Sequence, residues 1–75
     1  MDIKFITQYR KLGLNVAYYR KERGITQEEL AEVLDVDRVT IGNIEQARSG
    51  VSLDVLFAIA EYFKIPVVKL FEFRD

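Results

Sequence analysis

Two residues, Asp35 and Val36, are all that separate the end of one amphipathic helical pattern from the cap of the next. The stretch TQEELAEVLDVDRVTIGNIEQ, residues 26–46, opens with a capping box. The Thr26 hydroxyl is placed to accept from the Glu29 backbone N–H, while the Glu29 side chain reaches back to Thr26. Ile25 before the cap and Leu30 after it form the matching hydrophobic staple. Leu30, Ala31 and Leu34 then face inward. Asp35 falls at the bend, where Asp takes up the left-handed conformation more readily than most residues. Asp37 is the expected cap of the following helix, from which Ile41 and Ile44 point inward. So short a link cannot let two helices run back antiparallel over their full length. It favours a crossing near a right angle, with the second helix presented outward.

The rest of the chain also reads as helix. Phe5, Tyr9, Leu12, Val16 and Tyr19 recur at spacings of four, three, four and three. That is one face of a first helix, with Arg10, Lys11, Asn15, Arg20 and Lys21 mostly off it. Gly13 inside this pattern costs about 1 kcal/mol relative to alanine, which predicts a helix starting near Lys11 with residues 2–9 packed separately. Gly24 stops it in the left-handed conformation. Ser52 caps a fourth helix with Leu53, Leu56, Phe57, Ala60 and Phe63 on its inner face, and Val51 with Leu56 makes a second staple. Pro66 suits the first turn of a short fifth helix, PVVKLF. QARSG is the evident loop. The expectation is an all-α, five-helix single domain spanning residues 1–75 with a helix-turn-helix at about 26–46.

Composition narrows the chemistry. A chain of 75 residues holds one small core, and 49% hydrophobic with 31% charged residues suits a globular fold. The absence of cysteine excludes disulfides and thiolate chemistry, and the absence of histidine removes the commonest general base and metal ligand. No acidic loop has calcium-binding spacing. The expectation is therefore no enzyme, no cofactor, no metal and no small-molecule ligand. No apolar run approaches the roughly 20 residues that span a bilayer, and MDIKFITQYR lacks a signal peptide's long apolar stretch. A cytoplasmic protein with no membrane partner is expected.

The third helix keeps one side free of the core. At about 100° per residue, the direction opposite Ile41 and Ile44 passes Val39, Asn43 and Gln46, with Gly42 beside them and Arg38 at the helix start. Such a helix is thin enough for a groove about 12 Å wide. Charge opposes this. Residues 26–47 hold six acids against the single base Arg38, a net charge of −5. Arg20, Lys21, Arg23 and Arg48 are the compensating basic residues, and backbone amides at the starts of helices two and three can hold phosphates without side-chain charge. A polarised molecule that needs two copies to bind well is expected.

At these residues YRKERGITQEELAEVLDVDRVTIGNIEQ closely resembles the phage-repressor (Cro/repressor, or XRE) helix-turn-helix family. With SLDVLFAIAEYFKIPVVKLF the likeness covers residues 12–71. The resemblance implies five helices, a homodimer on double-stranded DNA with a near-palindromic operator, and transcriptional regulation in prokaryotes or phages. It makes the third helix the recognition helix. It assigns base contacts to Arg38, Val39 and Asn43, a phosphate contact to Gln27, and a partly buried ion pair to Arg20 and Glu45; Lys21, Thr40, Gln46 and Arg48 are the further phosphate contacts expected. Chemically, Arg38 suits guanine, Asn43 adenine and Val39 a thymine methyl. The chain departs from the family at Asp35, often glycine, and in EQARSG, where the family often reads ENG(K/R). Tyr19 stands at a usually aliphatic position, and about ten residues precede the shared region. The short length and the Asp37–Arg38 pair also resemble restriction–modification controller proteins. A reading from another class keeps the fold and makes it a protein-interaction module, an antitoxin or anti-repressor; steep salt dependence distinguishes a DNA reader from it.

The chain's end is unusually apolar. Val67, Leu70 and Phe71 share one helical face, Val68 lies about 100° round from Val67, and Phe73 follows beyond the helix. Val68, Phe71 and Phe73 are assigned to a two-fold dimer interface. That pairing would set two recognition helices roughly 34 Å apart.

Overall fold

The computed structural model describes residues 1–73. A short 3-10 helix, Ile3–Phe5, leads into α1 (Ile6–Glu22), α2 (Gln27–Leu34), α3 (Arg38–Glu45) and α4 (Leu53–Phe63), and a second 3-10 helix, Val67–Phe71, follows. Among the described residues there are four α-helices, not the five expected, and no strand. The expected fifth helix is wound as 3-10. A five-residue segment supplies too few i→i−4 bonds to offset helix nucleation, and two successive valines lower its propensity further. The turn closes instead through Lys69 N–H donating to the Pro66 carbonyl at 2.9 Å.

The first helix begins at Ile6, well before Lys11. Gly13 does not interrupt it, because α3 lies directly against that position. A Cβ on residue 13 would stand 2.4 Å from the Ile44 carbonyl oxygen and 2.7 Å from that of Glu45. Glycine is there for close approach, and the propensity it sacrifices is offset by packing. The Thr26 capping box forms in both directions, with Glu29 N–H to Thr26 Oγ1 at 3.0 Å and Thr26 N–H to Glu29 Oε1 at 2.8 Å. Ser52 Oγ accepts from Val55 N–H at 3.1 Å. Asp37 differs from expectation: its side chain makes no capping bond, and its backbone carbonyl accepts from Thr40 N–H at 2.9 Å.

All four helices end in the same way. A residue at positive φ sits just past each helix: Gly24, Asp35, Ala47 and Lys64. Its N–H bonds the carbonyl three residues back, and the next N–H bonds the carbonyl five back. This is the Schellman arrangement. After the left-handed residue come Ile25, Val36 and Ile65 at three of the ends, each packed against the core, but Arg48 at the end of α3.

Leu12 and Val16 of α1, Leu30 of α2, Ile41 and Ile44 of α3, Leu56, Ile59 and Phe63 of α4, and Leu70 form the core. Two residues expected inside are out: Leu53 is 61% exposed and Phe57 51%. The buried stripe of α4 is Leu56, Ile59, Ala60 and Phe63, so Leu53 falls at its exposed first turn and Phe57 one step round from it. Phe5 is exposed too, on the 3-10 helix rather than on α1. Asn15, expected off the inner face, is only 2% exposed. Its Nδ2 donates to the carbonyls of Leu70 at 2.9 Å and Glu72 at 3.2 Å, pinning the chain's end to α1.

Candidate nucleic-acid interface

The inner side of α3 is held from two directions. Glu45 at its end is buried and accepts from Arg20 Nε at 2.7 Å and Arg20 Nη2 at 3.1 Å. Arg20 Nη1 also donates to the Ile25 carbonyl at 2.8 Å, which fixes the guanidinium. Gln27 Nε2 donates to Glu45 Oε1 at 2.9 Å. One carboxylate thus joins α1, α2 and α3. A paired, fully bonded buried charge adds geometric definition more than net stability, and removing one partner leaves a charge that water cannot reach.

The outer side carries most of the residues expected to meet DNA. Arg38 and Val39 are exposed at the start of α3, Thr40 and Asn43 are half-buried, and Lys21, Gln46 and Arg48 are exposed. Gly42, expected to be open, is buried. Arg48 and Gln27 cover it: a Cβ there would lie 3.5 Å from Arg48 Nη2 and 3.7 Å from Gln27 Oε1. Gln27 is half-buried and its side-chain amide is committed to Glu45, which leaves its backbone N–H, the first of α2, without an intrahelical partner.

The basic rim is thinner than expected. Arg20 is neutralised by Glu45. Arg23 pairs with Glu22 at 2.9 Å, donates to the Phe63 carbonyl, and stacks 4.9 Å from the Phe63 ring and 5.5 Å from the Tyr19 ring. It serves the α1–α4 junction. Arg23 is exposed but spent at that junction, which leaves Lys21, Arg38 and Arg48 as the other exposed bases of the set.

Two features escaped the sequence reading. Ala47 adopts φ 56, the position that corresponds to glycine in the family's ENG(K/R) loop, and that correspondence was the available signal. The second is a bond from Arg48 Nε to Asn43 Oδ1 at 2.9 Å, with Arg48 Nη1 also donating to Gln46 Oε1. At the opposite end of the sequence, Val68 is 55% and Phe71 44% exposed. Phe73 is half-buried against the core, with the Lys11 ammonium 5.7 Å from its ring centre. Phe5, Leu53, Phe71 and Phe73 help line an open apolar groove of about 380 Å³.

A braced helix behind a short left-handed turn, with its polar outer side open, defines a helix-turn-helix DNA-binding regulator of transcription. The chain belongs to the helix-turn-helix family, whose model matches residues 16–70. It is 40% identical over 58 residues to an uncharacterised HTH-type transcriptional regulator of Methanocaldococcus jannaschii, covering 77% of this chain and 88% of that protein. Control protein C.SmaI of Serratia marcescens is 37% identical over 70 residues, covering 93% of this chain and 77% of C.SmaI. Among solved structures, the restriction-modification controller protein C.AhdI from Aeromonas hydrophila superimposes with a TM-score of 0.84 at 28% identity, over 89% of this chain and 97% of that one. No helix among the described residues is long and apolar enough to cross a membrane.

Proposed function

We propose that the chain binds a near-palindromic operator as a homodimer, with α3 of each copy in the major groove of one half-site. The observation that carries this reading is the asymmetry of α3. Its inner side is locked by the Arg20–Glu45–Gln27 network, and its outer side is left to solvent. Arg38, Val39 and Asn43 read bases in this reading. Lys21, Thr40, Gln46, Arg48 and Gln27, the last through its backbone N–H, hold phosphates. With so few free bases and a net charge of −5 over residues 26–47, affinity rests on backbone amides and on doubling the site.

Val68 and Phe71, with the edge of Phe73, form the dimer surface in this reading, since exposed apolar side chains clustered on a small protein mark an interface. The likeness to C.SmaI and C.AhdI supports a controller-type regulator, acting in the cytoplasm where its DNA lies. Selection of bound sites from random duplexes tests the whole reading. The expected motif has two related half-sites about one helical turn, roughly 34 Å, apart, and affinity that falls steeply with salt. A motif without dyad symmetry, or binding indifferent to salt, would contradict it.

A further inference from the structure

In the Schellman arrangement the residue after the left-handed position packs its side chain onto the one five positions earlier. Ile25, Val36 and Ile65 fill that place at the ends of α1, α2 and α4 and pack on the core. At the end of α3 the two residues so joined are Arg48 and Asn43, linked first by Arg48 N–H to the Asn43 carbonyl at 2.8 Å. The side chains then meet in a polar contact, Arg48 Nε to Asn43 Oδ1 at 2.9 Å. Nη1 donates to Gln46 Oε1, and Nη2 lies over Gly42. The orientation of the Asn43 amide follows from chemistry. An Nε–H can only donate, so the oxygen must face it and the amino group must point elsewhere.

We propose that Arg48 sets the base preference of Asn43, converting it from an adenine reader into part of a donor-rich surface that selects guanine. The inference rests on the base-reading role proposed for Asn43. An amide reads adenine with both halves, its oxygen accepting from N6 and its amino group donating to N7. Here the oxygen faces a guanidinium. What remains for the groove is the Asn43 amino group, the N–H groups of Arg48 not spent on Asn43 and Gln46, and one lone pair of an oxygen already held by the guanidinium, so donors outnumber acceptors. Guanine offers two acceptors there, N7 and O6, whereas adenine sets an amino donor against these donors. Discrimination on the order of tenfold follows for such a pairing. Arg48 acts here as a positioning residue and a second donor at once.

The test uses the full chain and two variants, each put through selection from random duplexes. Arg48 is exposed and the turn is held by backbone bonds, so Arg48→Ala keeps the fold. The base pair whose preference disappears in Asn43→Ala is the one Asn43 faces. Guanine at that pair for the unmodified chain, changing to adenine in Arg48→Ala with the rest of the motif kept, is the expected result. Adenine there in the unmodified chain overturns the proposal. So does an unchanged motif in Arg48→Ala accompanied by uniform weakening and a shallower salt dependence, which is the mark of a phosphate contact alone. If the unmodified chain enriches no motif, the base-reading role falls and this proposal with it.

Discussion

Single side chains decide how firmly α3 is seated. Gly13 is the tightest point, since an added methyl meets the backbone of Ile44 and Glu45, which cannot swing aside. Gly13→Ala, a change that would favour an isolated helix, should here destabilise by about 1–3 kcal/mol as overpacking. Urea unfolding measures it, and an increase in stability would show that α3 does not rest on α1 as described. Arg20→Ala leaves Glu45 buried with only Gln27 to donate to it. It should cost about 3–5 kcal/mol, a large share of the stability of so small a domain. An unchanged melting temperature would reject the structural role of the pair. The sequence pointed to Arg20 and Glu45 only through family resemblance. Nothing in the spacing of Gln27 disclosed that its amide turns inward, because that depends on where α3 lands.

At the scale of elements, starts and stops were unequally legible. Two helix starts were written in side chains: Thr26 with Glu29 at α2 and Ser52 at α4 cap as their types predict, whereas α1 starts earlier than expected and Asp37 makes no side-chain cap at α3. Thr26→Ala should lower stability by about 1 kcal/mol, readable as a lower denaturant midpoint with unchanged slope. Helix ends were less legible, because the left-handed position is occupied by glycine only at residue 24. Asp35 was foreseen, but Ala47 and Lys64 were not, since neither type favours that conformation. Lys64 is exposed and holds φ 58, so Lys64→Gly should stabilise by about 1 kcal/mol. Thermal unfolding of the variant tests whether the strain is real, and a lower melting temperature would show that it is not. The expected fifth helix failed on length: the apolar pattern was correct, but five residues wind as 3-10.

For the whole molecule, assembly is the property that matters most. Val68 is exposed on the terminal 3-10 helix, so Val68→Glu should leave the monomer's melting temperature almost unaltered. It should also split the proposed dimer in sedimentation and weaken operator binding by well over tenfold, since each half-site would then be bound alone. A variant that sediments and binds like the parent chain would place the interface elsewhere. Phe73 divides its surface, half against its own core and half outward, and the apolar groove beside it includes Phe5 and Leu53. No helical periodicity could have joined these three residues, which come from three separate parts of the chain.

The sequence by itself determined the class of fold, the two-residue turn, the capped starts of α2 and α4 and the side of α3 that stays out of the core. These depend on local periodicity and on side chains bonding their own neighbouring backbone, and such interactions act over three or four residues. Tertiary structure alone decided that Gly13 is a contact point, that Asn15 secures the chain's end, that Arg23 is spent on α4, and that Arg48 turns back onto Asn43. Each of these joins groups whose distance is set by the packing of helices or the closing of a turn. A sequence pattern records which residues can bond, whereas only the assembled backbone brings particular donors and acceptors within about 3 Å of one another.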